Sequence, residues 1–416
     1  MSRNKKFQIN NLFKFFILIF FLANTLLLAQ EQKTEFKITS NPNNINSWWL
    51  EKNNFGIHPT NFDFKSTWKL YKSNTTYSFD ILIQENNSYL SESFIKYNLS
   101  NHTFLRLGRY YRDFSNYLND NLSSGHMLIS KNAKPMPKIG LVTKKKIKKF
   151  DKMIFDFGIS HANFNKNNIY NKAPYLHEKF IYMNIKSDNY KISIGLVHEA
   201  IWAGSISDGE EQPNSFKDFL KVFIAEDGPF KEGQLHANAL GNHLGIWDFY
   251  YQKNKNNKIL KLYYQHFFED TSGLRFRNEI DGLWGLELQN YISNTTLLFE
   301  YLHTTHQNMD PPYINDSYYN HAIYLEGWSY SNYTLGNPFI NHLNVEPVNI
   351  IHVGIDGEFP AGYYYNAQFS NKTTINDYIK YKLIFGKKIY KSNTEIILIN
   401  DSKDRINIGF SLSWFL

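Results

Sequence analysis

From about residue 62 to its last residue, the chain alternates apolar and polar positions with the period of two that a β-strand imposes. The clearest run ends the chain: Ile406, Ile408, Phe410, Leu412, Trp414 and Leu416 alternate with Asn407, Gly409, Ser411 and Ser413, broken only by Phe415. The same period sets Tyr77, Phe79, Ile81 and Ile83 against Ser78, Asp80 and Gln84. It sets Met153, Phe155, Phe157 and Ile159 against Asp156, Gly158 and Ser160, and Ile379, Tyr381, Leu383 and Phe385 against Lys380 and Lys382. One such segment is equally at home in a soluble sandwich. Many of them, each about ten residues long and ending in aromatics, are the pattern of a transmembrane antiparallel barrel, apolar face in lipid and polar face on the lumen. Closure of the sheet satisfies every backbone N–H and C=O, as a bilayer demands.

The spacing of the segments gives the topology. Short connections fall near 73–76, 101–102, 149–150, 188–189, 254–257 and 292–293. Long ones fall near 111–137, 162–177, 200–240, 269–280, 305–318 and 337–349. Outer-membrane barrels alternate short periplasmic turns with long extracellular loops in this way. The chain therefore reads as an all-β, antiparallel outer-membrane barrel of about 18 strands over residues 61–416, with its long loops outside the cell. Strand parity turns Asp248, Glu287, Glu300, Lys380 and Lys382 toward the lumen, where mixed signs can pair.

Upstream, Arg3, Lys5, Lys6 and Lys14 precede an apolar core at 15–23 (FFILIFFLA) and 26–28, with Ala29 at a cleavage position. Residues 1–29 are thus expected to be a secretory signal peptide. Residues 30–60 follow as a short periplasmic segment. Loss of the signal peptide lowers the formal net charge from +7 to +3, so nucleic acid is not an expected partner. Outer-membrane lipid is one, with the barrel assembly machinery during insertion. A mean hydropathy of −0.46 is too low for a multi-span helical protein. The absence of cysteine among 416 residues removes thiol catalysis, disulfides and Cys-based zinc sites.

The chain offers little catalytic chemistry. His198 and Glu199 do not begin a zincin motif, because Trp202 stands where its second His is required. Glu210–Glu211 and Glu226–Asp227 read as solvated loop charge. His303 and His306 have loose metal-ligand spacing but form only a pair. Neither a GxSxG elbow nor a phosphate-binding glycine loop occurs. No enzyme activity, metal or cofactor is expected. The longest loop holds one helix signal, Phe216, Phe219, Leu220 and Phe223 behind Ser215 as N-cap and Asp218 at the capping-box position. Such a helix either constricts the lumen or lies as a lid on neighbouring loops. Trp202, Trp328, Tyr313, Tyr318, Tyr319 and Tyr330 stand in or beside loops, where aromatic faces suit sugar rings or form an interfacial belt.

The strings at 198–204 (HEAIWAG), 215–223 (SFKDFLKVF), 238–247 (NALGNHLGIW), 263–270 (YYQHFFED) and 281–288 (DGLWGLEL) together resemble the capsule assembly Wzi family as it occurs in Bacteroidetes-type bacteria. Residues 122–130 (LSSGHMLIS) and 132–139 (NAKPMPKI) are similar to its N-terminal half. The resemblance spans roughly residues 60–340. It implies an 18-stranded barrel that acts as a surface lectin for capsular or other exported polysaccharide, without catalysis. Enterobacterial members carry a periplasmic helical plug, for which 30–59 does not read as the source. A diffusion porin or export channel is the alternative. The loops 200–240, 269–280 and 305–318 bracket these strings, so the expected polysaccharide contacts are Trp202 for ring stacking and Lys217, Lys221, Arg275 and Arg277 for acidic groups. The same cations also balance the acidic residues of those loops.

Overall fold

The computed structural model describes residues 31–416 apart from 42–47, 86, 148–151, 165–168, 207–209, 229–238, 270, 308–317, 345, 375–377 and 401–405. The expected signal peptide, 1–29, and Tyr313 lie outside the described residues. Among those described, 18 antiparallel strands close into one barrel. They are β1 (Glu31–Ser40), β2 (Phe62–Lys72), β3 (Thr75–Gln84), β4 (Ser88–Leu90 and Phe94–Asn98, one strand broken in the middle), β5 (Thr103–Arg109), β6 (Pro137–Lys146), β7 (Met153–Asn163), β8 (Tyr175–Lys186) and β9 (Tyr190–Trp202). The second half comprises β10 (Asn242–Lys255), β11 (Lys258–Phe268), β12 (Gly282–Gln289), β13 (Thr295–His303), β14 (Asn349–Glu358), β15 (Tyr363–Lys372), β16 (Tyr378–Ile389), β17 (Ser392–Asn400) and β18 (Asn407–Phe415). No helix among the described residues is long and apolar enough to cross a membrane.

Period two sets the two faces of the wall. In β18, Ile408, Phe410 and Leu412 are exposed on the outside, while Asn407, Ser411 and Ser413 are buried on the lumen side. Phe249, Tyr264 and Trp284, on adjacent strands, stack in a row on the outer face, an aromatic belt of the kind found at membrane interfaces. Inside, Lys37 meets Glu395 at 2.9 Å and Lys65 meets Asp80 at 2.9 Å, so neighbouring cations of β1 and β2 each hold their own carboxylate.

Two expectations change. Residues 31–40 are not a periplasmic segment but the strand that closes the barrel: β1 pairs with β2 from Glu31↔Tyr71 to Ser40↔Phe62, and with β18 from Glu35↔Phe415 to Ser40↔Phe410. The reason is a shared apolar contact, since Phe36 packs against Phe64, Trp68 and Trp414. The long connections expected at 305–318 and 337–349 are one connection, 304–348, whose only strands among the described residues are the two-residue pair Ser329–Tyr330 and Tyr333–Thr334.

Three of the long connections turn inward. The segment 48–57 before β2, the β5–β6 connection (110–136) and residues 318–344 of the β13–β14 connection pack together inside the barrel around fully buried Leu122, Met127, Leu128, Tyr319 and Trp328. They are tied by main-chain contacts: Phe55 N–H to Lys131 O at 2.7 Å, and Ser130 N–H to Leu335 O at 2.8 Å. The lumen is plugged from the long-loop end.

Candidate functional site

The plug is fastened by a device that recurs around the wall. Tyr182 on β8, Gly195 on β9 and Asp248 on β10 are successive cross-strand partners on the lumen face. A Cβ on Gly195 would overlap the Tyr182 ring, so the glycine leaves room for that ring to lie across the strand. Its hydroxyl then donates to Asp248 Oδ2 at 2.6 Å. Tyr263, Gly285 and Glu300 repeat the row on β11, β12 and β13, with Tyr263 O–H donating to Glu300. Tyr364, Gly386 and Glu395 repeat it on β15, β16 and β17, at 3.0 Å.

In two of the three rows the carboxylate also receives the plug. Ser115 Oγ donates to Asp248 Oδ2 at 2.6 Å and Tyr117 O–H to Oδ1. Ser123 Oγ donates to Glu300 Oε1 at 2.7 Å and the Ser124 N–H to Oε2 at 2.6 Å. The buried carboxylates are thus compensated by charge-assisted hydrogen bonds rather than by cations. Glu287 is held by Lys261 at 2.8 Å, and Lys138 pairs with Glu178 at 2.7 Å. Lys380 stands over the rings of Tyr378 and Trp48 at 4.4 and 5.3 Å. Asp248, Glu287, Glu300, Lys380 and Lys382 all face the lumen.

His126, Ser115 and Asp248 bring together three residue types of a hydrolase triad, but their order does not make a nucleophile. His126 Nδ1 accepts the N–H groups of Leu128 and Ile129 at 3.0 and 3.2 Å, which leaves Nε2–H to donate to Ser115 Oγ at 2.9 Å. Ser115 passes its own proton toward Asp248, so nothing activates its oxygen. Burial, with a smaller contribution from Arg112, holds the His126 ring well below its ordinary 6.5, consistent with a neutral acceptor.

One group among the described residues has cation-ligand types in reach, Asp281, His303 and His306. Its contacts are explained without an ion. Asp281 accepts from His303 Nδ1 at 2.8 Å, from Tyr318 O–H at 2.8 Å and from the His306 N–H at 3.1 Å, and Thr305 occupies His303 Nε2.

The residues expected to touch sugar are placed differently from one another. Trp202 is 6% exposed and lies under the loop helix Phe216–Ile224, against Phe219 at 5.4 Å, so neither ring face is open to a saccharide. Trp328, Tyr318, Tyr319 and Tyr330 are buried as well. Two are held by their polar tips: Trp328 Nε1–H donates to Leu128 O at 2.9 Å and Tyr319 O–H to Met127 O, which fixes these two as plug residues rather than sugar platforms. Lys217, Arg275 and Arg277 are exposed, and Lys221 is drawn to Glu226 at 3.6 Å. Among the described residues the helix neither enters the lumen nor lies on another loop. It packs on the outside of the wall, because Trp202 shares its face with outward-pointing Ile194. Ser115, Tyr117, Ser123 and His126 were not singled out from sequence, since nothing in a run of hydroxyls shows which distant carboxylate it will meet.

A family model described as capsule assembly protein Wzi matches residues 30–350. No curated protein matches the chain. Among solved structures it is similar to OpdQ of Pseudomonas aeruginosa, at 8% identity and a TM-score of 0.43 over 92% of this chain and 96% of that one. It is similar also to OccAB4 of Acinetobacter baumannii, at 10% identity and 0.43 over 93% and 98%. CdiB from Acinetobacter baumannii gives 9% identity and 0.36 over 93% of this chain, which spans 60% of CdiB. These likenesses concern the barrel fold alone.

Proposed function

This chain belongs to the Wzi family of capsule assembly proteins, and on that premise we propose that it is a non-catalytic outer-membrane barrel that holds capsular or another exported polysaccharide at the cell surface. The observation that carries this reading over a diffusion porin is the filled lumen. Segments 48–57, 110–136 and 318–344 occupy it, and Asp248 and Glu300 bind the middle one to the wall. A pore for solutes has no use for a plug held by buried carboxylates, whereas a surface receptor gains a rigid platform. The polysaccharide meets the long-loop end, and the exposed cations Lys217, Arg275 and Arg277 are its candidate contacts if its sugars are acidic. Trp202 contributes by holding the loop helix, not by stacking.

Two measurements test the reading together. The purified chain in planar bilayers should show no steady conductance, and cells lacking it should shed polysaccharide that wild-type cells retain. Arg275→Gln with Arg277→Gln should weaken retention about tenfold, the cost of losing rim contacts worth about 1.4 kcal/mol. Steady single-channel conductance with unchanged polysaccharide retention would establish the porin reading instead.

A further inference from the structure

The loop helix Phe216–Ile224 has two unlike flanks. One is packed on the outer wall of the barrel. Phe219 meets His177 at 5.2 Å and His161 at 6.0 Å, Phe223 meets His177 at 5.4 Å, and Val222 is fully buried. These wall residues share the outward face with lipid-facing Ile159 and Ile181, since His161 and His177 are cross-strand partners. The other flank carries Phe216, Leu220 and Ile224, 75%, 49% and 66% exposed. A spacing of four residues puts them in one stripe along the helix.

Nothing within the described residues covers that stripe, and a water-facing loop does not ordinarily align three large apolar side chains. Its position supplies the occupant. Ile159 is two residues from His161 on the same strand face, about 7 Å at strand rise, so the helix sits at the edge of the barrel's lipid-facing band. The stripe continues that band outward. Ser215 caps the helix through Asp218 N–H at 3.2 Å while the Asp218 carboxylate accepts from Ser215 N–H at 2.9 Å, so the element is held in shape at the border where it lies.

We propose that this helix is an interfacial anchor, lying in the leaflet at the long-loop end with Phe216, Leu220 and Ile224 among the acyl chains of its lipids. It gives the barrel wall a foot in the membrane outside the strand cylinder.

Because the chain contains no cysteine, a single Cys replacing Phe216, Leu220 or Ile224 in the full-length protein accepts one bimane label. The labelled protein is placed in phosphatidylcholine nanodiscs with or without brominated acyl chains, and iodide is added as the aqueous quencher. Tyr390, 97% exposed in a turn, is the aqueous reference. At the three stripe positions, bromination should lower emission about twofold and iodide should have little effect, with the reverse at Tyr390. Adding Leu220→Asp, which leaves the packed flank intact, should make the label at 216 iodide-sensitive. Iodide quenching of the stripe equal to that at Tyr390 would place the helix in water and overturn the proposal. So would protection from both quenchers, which would mean a protein surface covers it.

Discussion

Replacing Glu300 by Ala should release the plug from one wall without opening the barrel. Glu300 is 3% exposed and receives Ser123 O–H, Ser124 N–H and Tyr263 O–H. A hydrogen bond to a charged acceptor contributes about 1.5–3 kcal/mol, and a donor left without its buried partner costs about 1–3. Water entering the vacated space recovers part of that, so the local loss should be about 3–5 kcal/mol, as for other broken buried charge contacts. At 1.36 kcal/mol per tenfold, the smaller figure means opening about 150 times more often. Amide hydrogen exchange, read by mass spectrometry on peptides covering 122–130, reports that opening directly. Exchange there should accelerate about a hundredfold, while peptides of β16 and β17 stay protected. Tyr364→Phe is the control, because its row has the same chemistry but, among the described residues, receives no hydrogen bond from the plug. Gly285→Ala should give a weaker version, since displacing the Tyr263 ring removes one donor of the three. Unchanged protection of 122–130 in a Glu300→Ala protein that still runs as a folded barrel would refute the assignment of Glu300 as the anchor.

Gly195→Ala forces the Tyr182 ring out of its place and should lower the urea midpoint by the equivalent of about 1–3 kcal/mol; an unchanged midpoint would show that the ring does not need the gap. Acid should loosen the plug. Burial and then Arg112 keep His126 neutral in the folded chain, whereas the unfolded chain protonates near 6.5, so the unfolded state binds the extra proton. Stability should therefore fall as pH drops below about 6.5, by up to about 1.4 kcal/mol per unit, and His126→Gln should flatten that slope in urea titrations between pH 7.5 and 5. Trp202→Ala removes the surface on which Phe219 rests and should cost about 3–5 kcal/mol of local packing, seen as faster trypsin cleavage at Lys217 and Lys221; resistance equal to wild type would show that the helix is held by something else.

The barrel was legible because its signal is local. Phe410 outside and Ser411 inside follow from one strand's own alternation, with no knowledge of its neighbours. Strand β1 was not, because EQKTEFKITS has only Phe36 and Ile38 as apolar residues and becomes a strand by meeting Phe64 and Trp414, far away in sequence. The plug was hidden for the same reason. Residues 122–130 carry no helical or strand period and read as an outer loop; what turns them inward is Glu300, separated from Ser124 by 176 positions. The loop helix was visible from Ser215 and its apolar spacing, but its seat was not, since Trp202 looks the same in sequence whether it is open to sugar or covered by Phe219.

The Tyr–Gly–acid rows also decide how the molecule would carry tension. A polymer held at the surface tugs on the outer loops. A loop tied only to its own hairpin would pass that pull to β5 and β6 and peel them apart one hydrogen bond at a time. Here the β5–β6 loop is tied to Asp248 on β10 and Glu300 on β13, four and seven strands further round the barrel than β6. Through the tyrosines, each acid is in turn linked to β8 and β11. A load arriving at the plug is therefore shared among strands spread over half of the barrel and acts on them in parallel, the arrangement of spokes to a rim rather than of a zipper.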